Sequence, residues 1–350
     1  LISDYFEPAQ RTSALSIYSC GTSLGYLLAA ICGGYVAQHW GWRAACAMVG
    51  LPGILIAILI KVLVREPPRG RSTLAPFSLR AEARELGAVG RALFADRAIL
   101  HMVLGVTIGG FAAYGFYAFV PPYFSRAYHL DYGTVGLIAG LSGGVAVGVG
   151  IIVGGFVADA LAARDPRWYA LVPALGGLVA VPFYLLAVVQ PDWRVATGLL
   201  SIAGFSQYTS LGPTFGVVQN VVHPRQRATA TALLYICLSV FALGGGPLFT
   251  GWVIDEFAQA DFRSATAVLV APNAVDSFNI VCPGGAAVAG AAAATRTACD
   301  ATLVRATRRG ILVTLLLFGW AAFHYFLASI GITKALRAAA LRNGAGAAAR

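Results

Sequence analysis

The chain has 350 residues, of which 58% are apolar and only 11% charged, with a formal net charge of +10. A soluble globular domain is about 45–50% apolar and about 25% charged, and a disordered chain is poor in apolar residues, so this composition excludes both classes. It is typical of an integral membrane protein. The chain begins with Leu1 and shows no signal-peptide pattern, so we expect a fragment whose N-terminal part is missing.

Eight apolar stretches are long enough to cross a bilayer core about 30 Å thick as helices. Each is expected to be helical, because lipid offers no partner for backbone polar groups. In chain order the predicted spans are Ala14–Ala37, Ala44–Val64, Ala98–Phe124, Gly133–Ala158, Trp168–Val189, Val195–Val222, Ala228–Ile254 and Gly310–Ile332.

Basic residues are concentrated in every second connection between the spans. The segment 61–97 holds eight of them, whereas the short connections on either side hold only Arg43 and Arg126. Basic residues gather on the cytoplasmic side of short loops, so the N-terminal edge, this segment and the C-terminus are predicted to be cytoplasmic. The connection 255–309 is assigned to the exterior despite its five arginines, because long loops translocate largely regardless of charge.

Two connections carry structure of their own. Ser78–Phe94 has the pattern of an amphipathic helix, which either lies on the cytoplasmic membrane face or is solvated. The exterior connection contains Cys282 and Cys299, and an oxidising exterior permits a disulfide between them.

A short repeat points to two related halves. The pattern Pro-x-Gln-Arg-x-x-Ala occurs at residues 8–14 and again at 224–230, each time on the predicted cytoplasmic side just before a span. Transporters are commonly built from duplicated halves.

The chain resembles the major facilitator superfamily, and within it the spinster-like branch related to lysolipid and sphingolipid transporters, in the segments DYFEPAQRTSALSIYSCGTSLG, HWGWRAACAMVGLPG, VREPPRG, GGFVADALAARDPRWY and HPRQRATATALLYI. The resemblance implies an all-α polytopic membrane protein: the superfamily fold lacking its first four transmembrane helices, with eight helices present. It assigns the remainder of an N-terminal bundle to residues 1–64, a cytoplasmic linker to 65–97, a six-helix C-terminal bundle to 98–333, and a cytoplasmic tail to 334–350.

One motif predicts a conformational latch. Gly155 and Asp159, followed by Arg164, resemble the second copy of the superfamily's cytoplasmic glycine–aspartate–basic motif. We expect Asp159 to accept hydrogen bonds from the start of the first span near Arg11, where the helix dipole is positive; Arg227 takes the equivalent place in the second half. This contact would hold the cytoplasmic side closed. The alternative is a solvated loop carboxylate.

Polar residues inside spans are the default candidates for function. They are interpreted either as lining a substrate cavity or as hydrogen bonds between helices. The cavity candidates are Tyr114, Tyr117, Gln207, Ser210, Thr214 and Tyr235.

Other intramembrane residues are assigned to packing. They include a serine row, Ser16, Ser19 and Ser23, and an isolated His324 that is expected to be satisfied structurally. Small residues at four-residue spacing allow helices to approach closely, which is the role expected of Gly136, Gly140, Gly144 and Gly148.

The sequence contains no catalytic, metal-ligand or phosphate-binding motif, so we expect no enzyme activity, no cofactor and no metal. The resemblance implies a secondary active transporter of a bacterial inner membrane, working by alternating access on an amphipathic small molecule or lysolipid. Membrane lipids are its expected partners; nucleic acid is not, and the full-length form is expected to be a monomer. Proton coupling stays open. Two alternatives remain: an uncoupled lipid-translocating protein and a non-transporting truncated fragment.

Overall fold

The structure is a computed structural model that describes residues 10–63, 79–223, 226–266 and 278–348. Within those residues the chain forms helices joined by short connections, and no strand occurs there. The helices are α1 (Arg11–Leu63), α2 (Leu79–Phe94), α3 (Arg97–Ala127), α4 (Tyr132–Ala162), α5 (Trp168–Val189), α6 (Trp193–Tyr208), α7 (Leu211–Val221), α8 (Arg227–Ile236, continuing as Cys237–Gly244 and Gly245–Thr266), α9 (Phe278–Val281) and α10 (Ala293–Ala348).

Six helices in the described part of the chain are long and apolar enough to cross a membrane, against eight predicted spans. The difference lies in how the helices are divided. Two predicted spans fall in α1, which counts as one helix although Gly41 interrupts it. The predicted span Val195–Val222 is split into α6 and α7, of 16 and 11 residues, and neither alone reaches the thickness of a bilayer.

Gly41 divides α1 into two arms. Its backbone angles, φ 81° and ψ 167°, are not helical, and glycine adopts them at little cost because it has no Cβ. The first arm packs along α4, whereas residues 46–63 of the second arm are all exposed. This second arm therefore presents a nearly all-apolar surface of the kind that suits a lipid environment.

Regular α-helical hydrogen bonding is interrupted at three further places. Gly140–Ala146 in α4 and Cys237–Gly244 in α8 are π-helical, a geometry that is frequent at functional sites. The third interruption separates α6 from α7 at Thr209 and Ser210. Their hydroxyls donate to carbonyls of the preceding turn at 2.7 and 2.9 Å, so backbone acceptors freed by the break remain satisfied.

The core holds stacked aromatic rings between α3, α5 and α10. Tyr184 is fully buried, with its ring centroid 4.9 Å from Phe116 and 5.0 Å from the stacked ring of Phe318.

Below, the two ends of the bundle are called the Asp159 end, where α3 begins and α4 ends, and the disulfide end, where α3 ends and α4 begins.

The helix α2 corresponds to the amphipathic helix predicted over Ser78–Phe94. Val89 and Leu93 are fully buried against the Asp159 end of the bundle, whereas Leu86 is exposed. The apolar side of α2 is therefore packed against protein, which argues against a fully solvated linker helix. Residues 64–78, which hold three of the predicted basic residues, lie outside the described residues.

The predicted exterior connection is partly helical, because α8 and α10 both extend into it. There the Sγ atoms of Cys282 and Cys299 are 2.07 Å apart in a disulfide, and both residues are fully buried in a small apolar cluster. Asp261 forms an ion pair with Arg309, and Arg305 lies 3.8 Å from the same carboxylate. These contacts fix the end of α8 against the beginning of α10.

Candidate functional site

A cavity of about 350 Å³ lies between the first arm of α1 and helices α3, α4, α6, α7 and α8. Its wall is mainly apolar, and its polar groups are hydroxyls and an amide. No carboxylate, ammonium, guanidinium or imidazole belongs to the described residues that line it. The three interruptions all reach the wall, through Gly143, Ser210 and Leu238.

Tyrosines dominate the polar part of the wall. Tyr117 is held by the core, since its hydroxyl lies 3.4 Å from that of the buried Tyr184. A tyrosine ring offers an apolar face together with a polar tip, so this wall suits a ligand with both kinds of surface. The tyrosines that line the cavity in the described part of the chain are Tyr18, Tyr26, Tyr114, Tyr117, Tyr208 and Tyr235.

Gln207, near the end of α6, belongs to the wall of the cavity and carries a buried, unpaired acceptor. Its side chain is almost fully buried, and its Oε1 atom has no hydrogen-bond partner in the part of the chain that the structure describes. Leaving such an acceptor unpaired costs about 1–3 kcal/mol. A Cβ built on Gly109, a residue of the cavity wall, would lie 3.1 Å from Nε2, and one built on Gly177 of α5 would lie 3.5 Å from Oε1.

Thr214 is the predicted cavity residue that the structure places elsewhere. It is fully buried, its hydroxyl donates to the Ser210 carbonyl at 2.8 Å, and it lies 3.1 Å from the Tyr325 hydroxyl. It therefore joins α7 to α10, because the helix break at Ser210 removes the continuous face on which the prediction relied. The predicted residues that do line the cavity are Tyr114, Tyr117, Gln207, Ser210 and Tyr235.

Three lining tyrosines were not predicted. Tyr18 and Tyr26 lie on α1 with Thr22 between them, at four-residue intervals, so the sequence carried a readable helical row. Tyr208 follows Gln207 directly in the last turn of α6, and both residues line the cavity. The prediction followed the spacing of Gln207, Ser210 and Thr214, to which Tyr208 does not belong.

The Asp159 carboxylate of α4 connects α1 with α5 at the Asp159 end of the bundle. Oδ2 accepts from the Ser13 backbone N–H at 2.8 Å and from the Ser13 hydroxyl at 2.7 Å. Oδ1 accepts from the Tyr169 hydroxyl at 3.0 Å. The carboxylate thus contacts the first turn of α1, where the sequence placed its partner, and Tyr169 of α5 is a donor that sequence reasoning missed.

Two of the three basic residues predicted for the latch have described side chains. Arg164 is exposed beyond the end of α4, and Arg227 begins α8. The side chain of Arg11 lies outside the described residues. The direct hydrogen bonds of the described side chains to Asp159 are those of Ser13 and Tyr169.

The serine row is divided between two environments. Ser16 is fully buried, and its Oγ packs against Gly155 of α4 and Gly212 of α7. Ser19 and Ser23 line the cavity, against the expectation that the whole row serves packing. Because Gly155 has no side chain, it leaves the space that the Ser16 side chain occupies.

The glycines of α4 form the surface against which α1 packs. A Cβ built on Gly140 would lie 2.7 Å from Ile31 Cγ1, and one built on Gly144 would lie 2.6 Å from Leu27 Cβ. Both distances are too short for real side chains, so these positions require glycine at this approach. Gly136 meets the backbone of α1 in the same way.

The sequence pattern of a known family matches residues 1–247, more than half of the chain; its description is Major Facilitator Superfamily. The chain belongs to the Major Facilitator Superfamily. This match confirms the superfamily that the sequence segments resembled, and the helical architecture agrees with it.

Several relatives of this Major Facilitator Superfamily chain are known by sequence. It is 28% identical over 254 residues to the "MFS-type efflux pump" of Mycolicibacterium smegmatis, covering 73% of this chain and 58% of that protein. It is 27% identical over 284 residues to human "Protein spinster homolog 1", covering 74% of this chain and 52% of that one. The chain thus spans about half the length of the curated relatives it matches.

Solved structures agree with the spinster-like resemblance. A bacterial homologue of the human lysosomal transporter spinster, in an inward-facing and occupied conformation, aligns with a TM-score of 0.72 at 27% identity. The alignment covers 95% of this chain and 73% of that one. The inward-facing and unoccupied conformation gives a TM-score of 0.70 at 25% identity.

Proposed function

We propose that this chain acts in secondary active transport, moving an amphipathic small molecule such as a lysolipid across a bacterial inner membrane by alternating access. The observation that carries the proposal is the uncharged, tyrosine-lined cavity with the Gln207 amide in its wall. In this proposal the N-terminal edge and the C-terminus are cytoplasmic, so the Asp159 end faces the cytoplasm.

The chemistry of the wall supports an amphipathic cargo. A volume of about 350 Å³ is within the range of small-molecule sites, about 300–1,000 Å³. Apolar surface would hold the body of the cargo, and the tyrosine hydroxyls with Gln207 would hold a neutral or weakly polar head. The relatives' names, an efflux pump and a spinster homologue, do not fix one cargo.

The Asp159 contact supports the mechanism. Ser13 and Asp159 belong to the two parts that must separate if the cavity is to open at this end. Breaking their hydrogen bonds would release the first turn of α1, and the glycine surface of α4 would let α1 tilt without collision of side chains. The described lining holds no carboxylate or imidazole, so the uptake experiment decides whether transport is coupled to an ion.

The experiment is uptake by proteoliposomes that contain the full chain, with fluorescent lysophosphatidylcholine as the probe. Saturable uptake that is weakened in Gln207→Leu is the expected result, and its dependence on an imposed pH gradient decides whether a proton is coupled to it. Uptake that persists after the gradient is collapsed with a protonophore would favour uncoupled lipid translocation. Absence of uptake in every arm would reject transport by this chain and leave the non-transporting fragment.

A further inference from the structure

Two histidines on neighbouring helices lie in direct contact. Nδ1 of His101 on α3 is 2.8 Å from Nδ1 of His324 on α10, and the ring centroids are 5.1 Å apart. The two residues are 223 positions apart in the chain, so the sequence showed His324 as isolated. The structure corrects that expectation, because His324 has a second imidazole as its partner.

Two close approaches between α3 and α10 lie on either side of His101. A Cβ on Gly331 of α10 would lie 3.1 Å from Ala98 Cβ, and a Cβ on Gly105 of α3 would lie 3.0 Å from the Tyr325 ring. Along α3, His101 falls between these two close approaches. The separation of α3 and α10 at the pair is therefore set by packing, and the imidazoles are held together before any ligand arrives.

The distance between the nitrogens is that of an N–H···N hydrogen bond, and it also fits two ligands of one ion at a right angle. Two imidazole nitrogens at about 2.0–2.1 Å from an ion stand about 2.9 Å apart in the square-planar geometry of Cu²⁺ or Ni²⁺, and about 3.3 Å apart in the tetrahedral geometry of Zn²⁺. The observed separation is 2.8 Å. Without an ion, the same contact requires a proton on one of the two nitrogens, and a bound ion replaces that proton.

The surroundings select the class of ion. Both histidines are half-buried, and the rings of Trp320 and Phe323 have centroids 5.8 and 6.2 Å from that of His324. In the described part of the chain no third histidine, cysteine or carboxylate completes a cluster. Imidazole donors suit Cu²⁺, Zn²⁺ and Ni²⁺ rather than Mg²⁺ or Ca²⁺, and water would fill the remaining positions.

We propose that His101 and His324 bind one divalent transition-metal ion, which links α3 to α10. Neither residue lines the cavity or contacts Asp159, so the site is independent of the proposed transport function. The ion would hold together two helices of the predicted C-terminal bundle.

The test uses Cu²⁺ as the probe and electron paramagnetic resonance as the readout, on the full chain in detergent without a histidine tag. We expect saturable binding with hyperfine coupling to two nitrogens. His101→Ala and His324→Ala should each weaken binding more than about tenfold, which is about 1.4 kcal/mol, and leave one coupled nitrogen. His129→Ala, an exposed histidine elsewhere, is the matched control and should bind as the parent does.

A second measurement keeps the proposal testable if an alanine variant folds poorly. Zn²⁺ is expected to raise the melting temperature of the parent chain and of His129→Ala, and not that of His101→Gln or His324→Gln. Equal Cu²⁺ binding by the parent chain and by the double variant His101→Ala/His324→Ala would overturn the proposal. So would a Zn²⁺ shift that survives in both glutamine variants.

Discussion

Ser13 of α1 and Asp159 of α4 are joined by two hydrogen bonds across 146 positions of the chain. The Ser13 backbone N–H lies in the first turn of α1, where no carbonyl of the helix can reach it. Asp159 therefore caps a helix of the other part of the bundle, and its negative charge lies at the positive end of that helix. Loss of the carboxylate would both break the contact and leave the helix end without its cap.

Asp159→Ala is expected to lower the free energy of unfolding by about 1.5–3 kcal/mol, the size of a hydrogen bond to a charged group. Ser13→Ala removes only the hydroxyl bond and should cost less. Because the two residues share one interaction, the double variant should lose less than the sum of the single losses. Denaturant unfolding in detergent measures this, with Asp300→Ala, at an exposed position, as the control. Strict additivity would mean that the two residues do not interact.

Gly144→Ala should destabilise the chain by about 1–3 kcal/mol, because the new methyl group would collide with Leu27. The matched control is Gly198→Ala in α6, where no heavy atom lies within 4 Å of the new Cβ. That change should be neutral or slightly stabilising, since alanine favours helix. Thermal unfolding of both variants tests the glycine surface, and equal effects would refute a specific close approach of α1 to α4.

Gln207→Leu separates binding from stability. It removes a buried acceptor without a partner, so stability should be unchanged or higher, while affinity for an amphipathic probe should fall about tenfold. Thr214→Val should lower stability and leave the affinity for the probe unchanged, because it breaks a buried contact with Tyr325 outside the cavity. Probe binding and thermal unfolding, measured on both variants, give the comparison. A Gln207→Leu variant with unchanged affinity would place the cavity's polar contact elsewhere.

The Cys282–Cys299 disulfide closes a loop with a sequence separation of 17. The chain-entropy account gives such a bridge about 3 kcal/mol. Replacing both cysteines by serine should therefore lower the melting temperature, whereas Cys46→Ser, at an exposed free cysteine, should not. Without reductant, a maleimide should label Cys46 and leave Cys282 and Cys299 unlabelled. Labelling of the latter two would contradict the bridge.

Much of the fold was predictable from local composition. Apolar length located most of the long helices, because a lipid environment requires long apolar helical segments, whereas α2 was predicted from its amphipathic pattern. The acceptor role of Asp159 was predicted from the resemblance of Gly155, Asp159 and Arg164 to the superfamily's cytoplasmic motif, and Ser13 of α1 is its donor in the structure. The four-residue glycine spacing predicted a close helix approach, and Gly144 makes one.

Other features depend on interruptions that sequence does not mark. The break at Ser210 turned Thr214 away from the cavity. The partnership of His101 with His324 is set by the packing of two helices distant in sequence. Tertiary contacts decide such placements, and helical periodicity along one segment carries no information about them.

The central claim is that the cavity opens to the Asp159 end when the Ser13–Asp159 contact breaks. The direct measurement is the rate at which a membrane-impermeant maleimide labels Ser19→Cys from that side, in a background without the four free cysteines. Asp159→Asn should raise this rate several-fold, and Asp165→Asn should leave it unchanged. Equal rates in the parent and in Asp159→Asn would contradict the account.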